Sequence, residues 1–305
     1  MTCHHMNGNV ADSNGNGRLT NVADWERRHT VPSTDGSQHQ TNQVKALIPD
    51  DARKSYGEEC LWSWLLPRFV DHRTDRQVLE IGCAPGRFLR AFEQNFGGVP
   101  HGVDFSPTGV AQTRDNFTAW GYDPNNIVRA DVLDPAFHSD SSGRFDVVFS
   151  RGLIEHFTGE LLAIIQAHVR AVRPGGLLIV TIPNYHGVNY ALGRLTVAHL
   201  YPEHNFTIMH PDRFRRLFAL PELELLWCGP LGGFDLGLME DGSNSKTMWV
   251  TRRLQGLFNL AFKIIAPPET RWTSPQLVYV GRKVLPTSQS PLSPDAAISG
   301  QFLTS

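Results

Sequence analysis

Short apolar runs alternate along the chain with segments of helical periodicity, an arrangement typical of α/β proteins with a parallel sheet. The clearest helical segment has apolar residues at positions 161, 165, 169 and 172, and Pro174-Gly175 is its expected end. The short apolar runs between the helical segments predict strands at 77–81, 99–104, 127–132, 145–150, 177–182, 223–229 and 276–283.

Seven strands separated by helices predict a doubly wound α/β fold, with a Rossmann-like, seven-stranded, mostly parallel sheet and helices on both faces. Residues 184–210 interrupt the alternation with a polar stretch rich in aromatic and histidine residues. Ligands of such sheets bind beyond the carboxyl ends of the strands. We therefore expect insertions on that side at 184–210 and 232–270.

The two ends differ from the centre in composition. Residues 1–20 and 286–305 contain mainly small and polar residues, which bury too little apolar surface to offset the entropy of ordering. Both are predicted to be disordered tails. Residues 21–74 are expected to form an N-terminal helical lid or cap, and residues 75–285 to form the main domain.

Composition excludes several classes of protein. The net charge of -2 provides no broad basic surface for nucleic acid, and the four cysteines show no metal-type spacing. No apolar run reaches the ~20 residues of a membrane span, and the N-terminus does not resemble a secretion signal. We expect a cytoplasmic protein.

The turn after the first strand carries the main chemical signal. It reads Glu80-Ile81-Gly82-Cys83-Ala84-Pro85-Gly86, and glycine there permits a sharp turn and a close approach of ligand to backbone. A dinucleotide-binding GxGxxG loop would place glycines at 82, 84 and 87, and only Gly82 fits. The spacing instead resembles the first motif of class I S-adenosylmethionine (SAM)-dependent methyltransferases, in which alanine at position 84 is a frequent substitution.

This resemblance covers residues 75–183 and, by strand count, extends to 283. It implies an enzyme whose domain at 75–285 uses SAM as its cofactor. The resemblance implies that Glu80 supports the loop or reaches the SAM amino group through water, and that the methionine part is lined by Gly82, Cys83, Ala84 and Gly86. Asp104 would accept hydrogen bonds from the ribose hydroxyls, and Ser150 would face the methyl group. The adenine would be contacted by Phe105, Asp131 and Val132.

The segment after the fourth strand contains the candidate catalytic pair, Glu155 and His156. An imidazole titrates near neutrality, which suits a general base that removes a proton from a hydroxyl acceptor. The ubiquinone-pathway O-methyltransferases carry ExxEH here and hold a metal, but Gly152 replaces the first glutamate. No metal site is therefore expected. A role of the pair in orienting the loop is an equally weighted alternative.

The acceptor is expected to be a small molecule or a saccharide, methylated at oxygen. Candidate acceptor-binding residues combine polar groups with aromatic faces: Trp25, Tyr56, Arg151, Tyr185, His186, Tyr190 and His204. Alternatives are S- or N-methylation of an amino-acid-like molecule, and a protein of this fold that binds SAM without activity. The amphipathic segment 247–265 suits packing on the sheet or on a homodimer partner, with peripheral membrane contact as the alternative.

Overall fold

The structure, a computed structural model, describes residues 17–29, 56–239 and 246–285. The predicted tails at 1–16 and 286–305 lie outside the described residues. The strands are β1 (Gln77–Ile81), β2 (Val99–Asp104), β3 (Ile127–Arg129), β4 (Phe145–Arg151), β5 (Val172–Pro183), β6 (Leu223–Leu231) and β7 (Gln276–Lys283). The helices are α1 (Val22–His29), α2 (Tyr56–Glu59), α3 (Arg87–Phe96), α4 (Pro107–Trp120), α5 (Pro135–Ser141), α6 (Leu161–Ala171), α7 (Val188–Thr196), α8 (Pro211–Leu217) and α9 (Lys246–Ile264).

The strands form one sheet in the order β3-β2-β1-β4-β5-β7-β6. β1 to β5 run parallel to one another, and β7 runs antiparallel to both of its neighbours, β5 and β6. The predicted seven-stranded, mostly parallel fold is confirmed. The strand order reverses between β1 and β4, and this reversal opens a crevice at their carboxyl ends.

Two apolar layers hold helices against the sheet. On one face, α3 and α4 bury side chains such as Leu89, Phe92 and Phe117, together with Trp62 from the segment that follows α2. On the other face, α6 and α8 bury Ile165 and Phe214. Both faces of the central strands are thus covered, as expected for a parallel sheet whose strands are continuous apolar runs.

Local details differ from the predicted boundaries. β3 ends at Arg129 rather than 132, because the Asp131 carboxylate accepts a hydrogen bond from the Leu133 N–H at 3.0 Å and turns the chain. β5 begins at Val172 rather than 177, with a register irregularity opposite Phe145 and Val147. Pro174-Gly175 therefore lie in that irregular strand entry, three residues after the end of α6 at Ala171.

Residues 17–20, predicted to belong to the N-terminal tail, pack against the domain. The Leu19 N–H donates to the His156 carbonyl at 2.8 Å, and Arg18 forms a β-bridge with Phe157. Polar composition suggested disorder, but main-chain pairing and the charges that face Arg18 fix this stretch.

Candidate functional site

A cavity lies at the carboxyl ends of β1, β2, β3 and β4. Three turns line it, each just beyond a strand of one half of the sheet: Gly82 and Ala84 after β1, Asp104 and Phe105 at the end of β2, and Asp131 and Val132 after β3. These six residues were predicted from the sequence as cofactor contacts, and the fold brings them together around one space.

The glycine-rich turn is held tightly. Gly82 has φ +75°, and the N–H groups of Gly82 and Cys83 donate to the Val103 carbonyl at 2.9 and 3.2 Å. A Cβ atom on Gly82 would lie 3.2 Å from Leu153 Cδ1, and one on Gly86 would lie 2.9 Å from a Thr113 methyl. The turn therefore needs glycine at both positions.

Asp104 connects two of these turns. One carboxylate oxygen accepts from the Ala84 N–H at 3.2 Å, and the other accepts from the Ser106 N–H at 2.9 Å. Burial raises the pKa of Asp104, and the two N–H groups oppose that shift. A carboxylate has about four acceptor sites, so each oxygen can accept a further hydrogen bond from a ligand hydroxyl.

Glu80 lies inside β1, behind the turn, and is 1% exposed. Burial raises its pKa well above the usual range, against the attraction of Arg151. Its Oε2 is buried and makes no hydrogen bond with the residues that the structure describes. A buried acceptor at this place fits a ligand that brings its own donor, such as an ammonium group.

The N-terminal segment covers the cavity. Trp25 and His29 from α1 lie on its wall, and Trp25 Nε1 donates to Thr20 Oγ1 at 3.0 Å. Glu26 accepts from Ser106 Oγ at 2.5 Å and from Thr108 at the start of α4. These hydrogen bonds lower the pKa of Glu26. α1 is therefore anchored on α4 and forms part of the cavity wall.

Asp131, one of the predicted adenine contacts, also belongs to a charged cluster. Arg18 pairs with Asp131 at 2.8 Å and with Glu160 at 2.9 Å. Arg18 was not predicted as a site residue, because it lies in a polar stretch more than a hundred residues from both partners.

A second cavity, of about 500 Å³, adjoins the first. Four residues line both cavities: Trp25, Arg151, Gly152 and His156. The far wall includes charged and polar groups that the sequence did not suggest, from α2, β5, the loop after β6 and β7: Glu58, Thr181, Asp235 and Gln276. Arg87, which replaces the last glycine of a dinucleotide loop, is also on this wall.

His156 lies at the junction of the two cavities and is 4% exposed. Its Nδ1 is 2.7 Å from the Glu203 carbonyl oxygen, so the proton of the neutral ring is on Nδ1. The Trp25 ring meets it edge-on at 5.1 Å between centroids. The ring is thereby held with the Nε2 lone pair as its proton-accepting site.

Glu155 and His204 flank His156. The His156 Nε2 and a Glu155 carboxylate oxygen are 4.0 Å apart, and the two imidazole centroids are 4.9 Å apart. One ligand atom from each of the three residues lies within 4.8 Å of the others, a set that could hold a metal ion. The prediction of no metal site was based on spacing in the sequence, and that spacing does not reveal that the insertion places His204 beside His156. The prediction stays untested.

Two guanidinium groups line the second cavity. Arg87 and Arg151 lie over the Phe88 ring, with their central carbons 4.3 and 4.2 Å from its centroid, and both pair with the Glu58 carboxylate. Burial lowers the pKa of Arg151, and Glu58 opposes that shift.

Several predicted site residues lie elsewhere. Among the acceptor candidates, Tyr56 packs on Phe262, and Tyr190 stacks on Tyr201. Tyr185 donates to the Leu238 carbonyl at 3.2 Å, and His186 packs against His210 and Trp272. None of these four residues lines either cavity. Within the insertion at 184–210, the rings of Tyr185, His186 and Tyr190 pack against other aromatic side chains. Of the candidates in that insertion, only His204 lines the second cavity.

Three of the predicted cofactor residues, besides Glu80, support the walls rather than line them. Cys83 is 2% exposed and lies beneath the turn, where burial raises its pKa well above the usual range. Gly86 begins α3, and Ser150 is buried in β4 below the junction. None of the three lines either cavity.

Residues 56–226, more than half of the chain, match the family model described as a methyltransferase domain. The chain belongs to the class I SAM-dependent methyltransferase family. The predictions of a methyltransferase activity and of SAM as the cofactor are thereby confirmed.

Solved structures share the fold of this methyltransferase. Geranyl diphosphate C-methyltransferase from Streptomyces coelicolor A3(2), in complex with Mg²⁺, geranyl diphosphate and S-adenosyl-L-homocysteine, has a TM-score of 0.51 at 15% identity, over 74% of this chain and 79% of that chain. The MccD protein has a TM-score of 0.51 at 12% identity, over 75% and 99%. At these identities the likeness concerns the fold.

A relative in Caenorhabditis elegans, phosphoethanolamine N-methyltransferase 2, is 28% identical over 120 residues. That match spans 39% of this chain and 26% of the relative. The methyltransferase therefore matches about a quarter of that protein's length.

Proposed function

We propose that this methyltransferase transfers the methyl group of SAM to an oxygen of a small polar acceptor, a small molecule or a saccharide. The observation that carries the proposal is the pair of adjoining cavities, which meet at Trp25, Arg151, Gly152 and His156. The first has the features of a cofactor site and the second has room for a small acceptor.

SAM would be held by groups whose chemistry matches its parts. The Asp104 carboxylate suits the ribose hydroxyls, and the buried Glu80 suits the ammonium group. Phe105, Asp131 and Val132 would meet the adenine, and Gly82 and Ala84 let the methionine part approach the backbone. Cys83 and Gly86 would hold the turn in shape, and Ser150 would support the junction from below.

When bound, SAM supplies an electrophilic methyl group on a sulfonium whose sulfur is a good leaving group. The residues of the chain then have to position the acceptor, exclude water and take the hydroxyl proton. Trp25 closes the junction, and Arg151 borders it. Nε2 of His156 accepts the proton, while Glu155 and His204 flank the ring and stabilise the imidazolium that forms.

The decisive experiment uses labelled methyl transfer from SAM into a fractionated small-molecule extract, followed by carbon-13 NMR of the methyl product. A methyl group on oxygen is the expected result. With that acceptor, His156→Gln should lower kcat about a hundredfold while SAM affinity changes less than about threefold. His199→Gln, at an exposed histidine of the same insertion, is the matched control.

A nitrogen acceptor is the second candidate. The carboxylates of Glu58, Glu155 and Asp235 line the second cavity and suit a cationic amine, and one relative is named a phosphoethanolamine N-methyltransferase. In that case the product carries the methyl group on nitrogen, and His156→Gln leaves kcat within about threefold of the parent. A carboxylate of this wall, rather than His156, takes the proton that the ammonium loses before its nitrogen attacks.

A further inference from the structure

The outer face of α9 carries an apolar stripe that the described residues leave uncovered. The stripe consists of side chains at helical spacing and is defined by Val250, Leu254, Leu257, Leu260, Ile264 and Ile265. Leu257 is 65% exposed and Ile264 is 80% exposed. A continuous exposed apolar stripe of this length marks an interaction surface.

The opposite side of α9 already anchors the helix to the fold. Gln255 is 9% exposed, and its side-chain oxygen accepts from the Leu236 N–H at 2.6 Å. Phe258 packs against Phe234 and Phe262 packs against Tyr56, with ring centroids 5.4 and 5.2 Å apart. The inward contacts of α9 therefore use Gln255, Phe258 and Phe262. The prediction that its apolar face packs on the sheet or on a homodimer partner stays untested.

The charge of α9 differs from that of the whole chain. Lys246–Ile264 contains two lysines and two arginines and no acidic residue, whereas the chain has a net charge of -2. An apolar stripe on a basic helix is the pattern of helices that lie in the interface of an anionic membrane. None of the helices that the structure describes is long and apolar enough to span a membrane.

A second copy of the chain fits this surface less well than lipid does. A two-fold dimer places the same patch on both subunits, so one basic α9 would face another. The like charges would then repel, whereas the head groups of anionic lipids attract them.

We propose that α9 docks this methyltransferase on an anionic lipid surface, with the helix axis in the plane of the interface and the apolar stripe at the boundary between head groups and acyl chains. Leu254 and Leu257 enter that boundary, and the net positive charge of the helix sequence attracts the anionic head groups.

Docking through α9 places the second cavity beside the bilayer. α9 contacts the short helix Leu236–Met239, whose Leu238 lines that cavity. An acceptor carried on a membrane lipid would therefore reach the site over a short distance. This consequence rests on the proposed function, whereas the docking itself does not.

The test is co-sedimentation of the full chain with vesicles in the absence of SAM. Vesicles of phosphatidylcholine with about 30 mol% phosphatidylglycerol should bind the parent roughly tenfold more tightly than pure phosphatidylcholine vesicles, and added salt should weaken the binding. The double variant Leu257→Glu/Ile264→Glu should lose at least about tenfold in affinity. Leu162→Glu, at an exposed leucine of α6, is the matched control and should bind like the parent.

Circular dichroism and unchanged SAM affinity would show that the variants are folded. Absence of vesicle binding by the folded parent, or equal binding by parent and double variant, would overturn the proposal. Light scattering runs in parallel: a parent dimer that the double variant makes monomeric, without vesicle binding, assigns the stripe to a second copy and also overturns it.

Discussion

Arg18 and Asp131 form a salt bridge at 2.8 Å that ties the N-terminal segment to the wall of the first cavity. The same guanidinium pairs with Glu160 at 2.9 Å, and the Leu19 N–H donates a hydrogen bond to the His156 carbonyl. These contacts hold the stretch that leads into α1, so the position of Trp25 over the junction depends on them.

Arg18→Ala is therefore expected to weaken SAM binding by about three- to tenfold, because the covering segment loses an anchor of roughly 1 kcal/mol. Calorimetric titration with SAM measures this change. Arg73→Ala removes the exposed pair with Asp75 outside the site and should leave SAM affinity unchanged. Equal affinities of the Arg18 and Arg73 variants would show that the segment does not contribute to binding.

Glu80→Gln should stabilise the ligand-free protein as the pH rises. The pKa of Glu80 is raised by burial, so the unfolded chain ionises first and the destabilisation grows as pH rises above the unfolded pKa. We expect the variant to gain about 3 °C in Tm at pH 8 and less than about 1 °C near pH 4.

The same substitution should weaken SAM binding at pH 8 by about 1–3 kcal/mol, since a charged partner of the ammonium group is lost. Calorimetry at pH 8 measures this effect, with Glu224→Gln on the exposed side of β6 as the control. A Glu80 variant that is less stable at pH 8 and binds SAM normally would place this carboxylate outside the site.

Removal of divalent metals should leave the activity unchanged, because His156 is proposed to accept the proton without the help of a bound ion. Dialysis against a chelator, followed by the labelled-methyl assay, measures this. Suppose instead that chelation abolishes the activity, that a divalent cation restores it, and that the His204→Gln variant is inactive even with the cation. That result would assign Glu155, His156 and His204 to a metal site.

Features that are determined by residues close together in the sequence, such as strands and turns, could be predicted from the pattern of residues. The apolar run of β1 and the glycines at 82 and 86 define a strand and a turn by themselves, and Asp104 follows from its place at the end of β2. The turns that line the first cavity could therefore be predicted from short segments and their order.

The acceptor side depends on contacts between distant segments. His204 lies against His156 and belongs to an insertion whose tyrosines pack among themselves. Arg18 reaches Asp131 across more than a hundred residues. Glu58, Asp235 and Gln276 have no local signature at all, since their positions follow from how α2, β7 and the loop after β6 meet. Spacing in the sequence carries no information about such meetings.

The most direct test of the central claim, that SAM lies in the cavity between the turns after β1 and β2, is calorimetric titration of the parent and of Asp104→Ala with SAM, with NAD and Asp115→Asn as controls. We predict micromolar binding of SAM and none of NAD by the parent, a loss of about 1.5–3 kcal/mol in Asp104→Ala, and parent-like binding in the variant at the exposed Asp115. Unchanged SAM affinity in a folded Asp104→Ala protein would contradict the account.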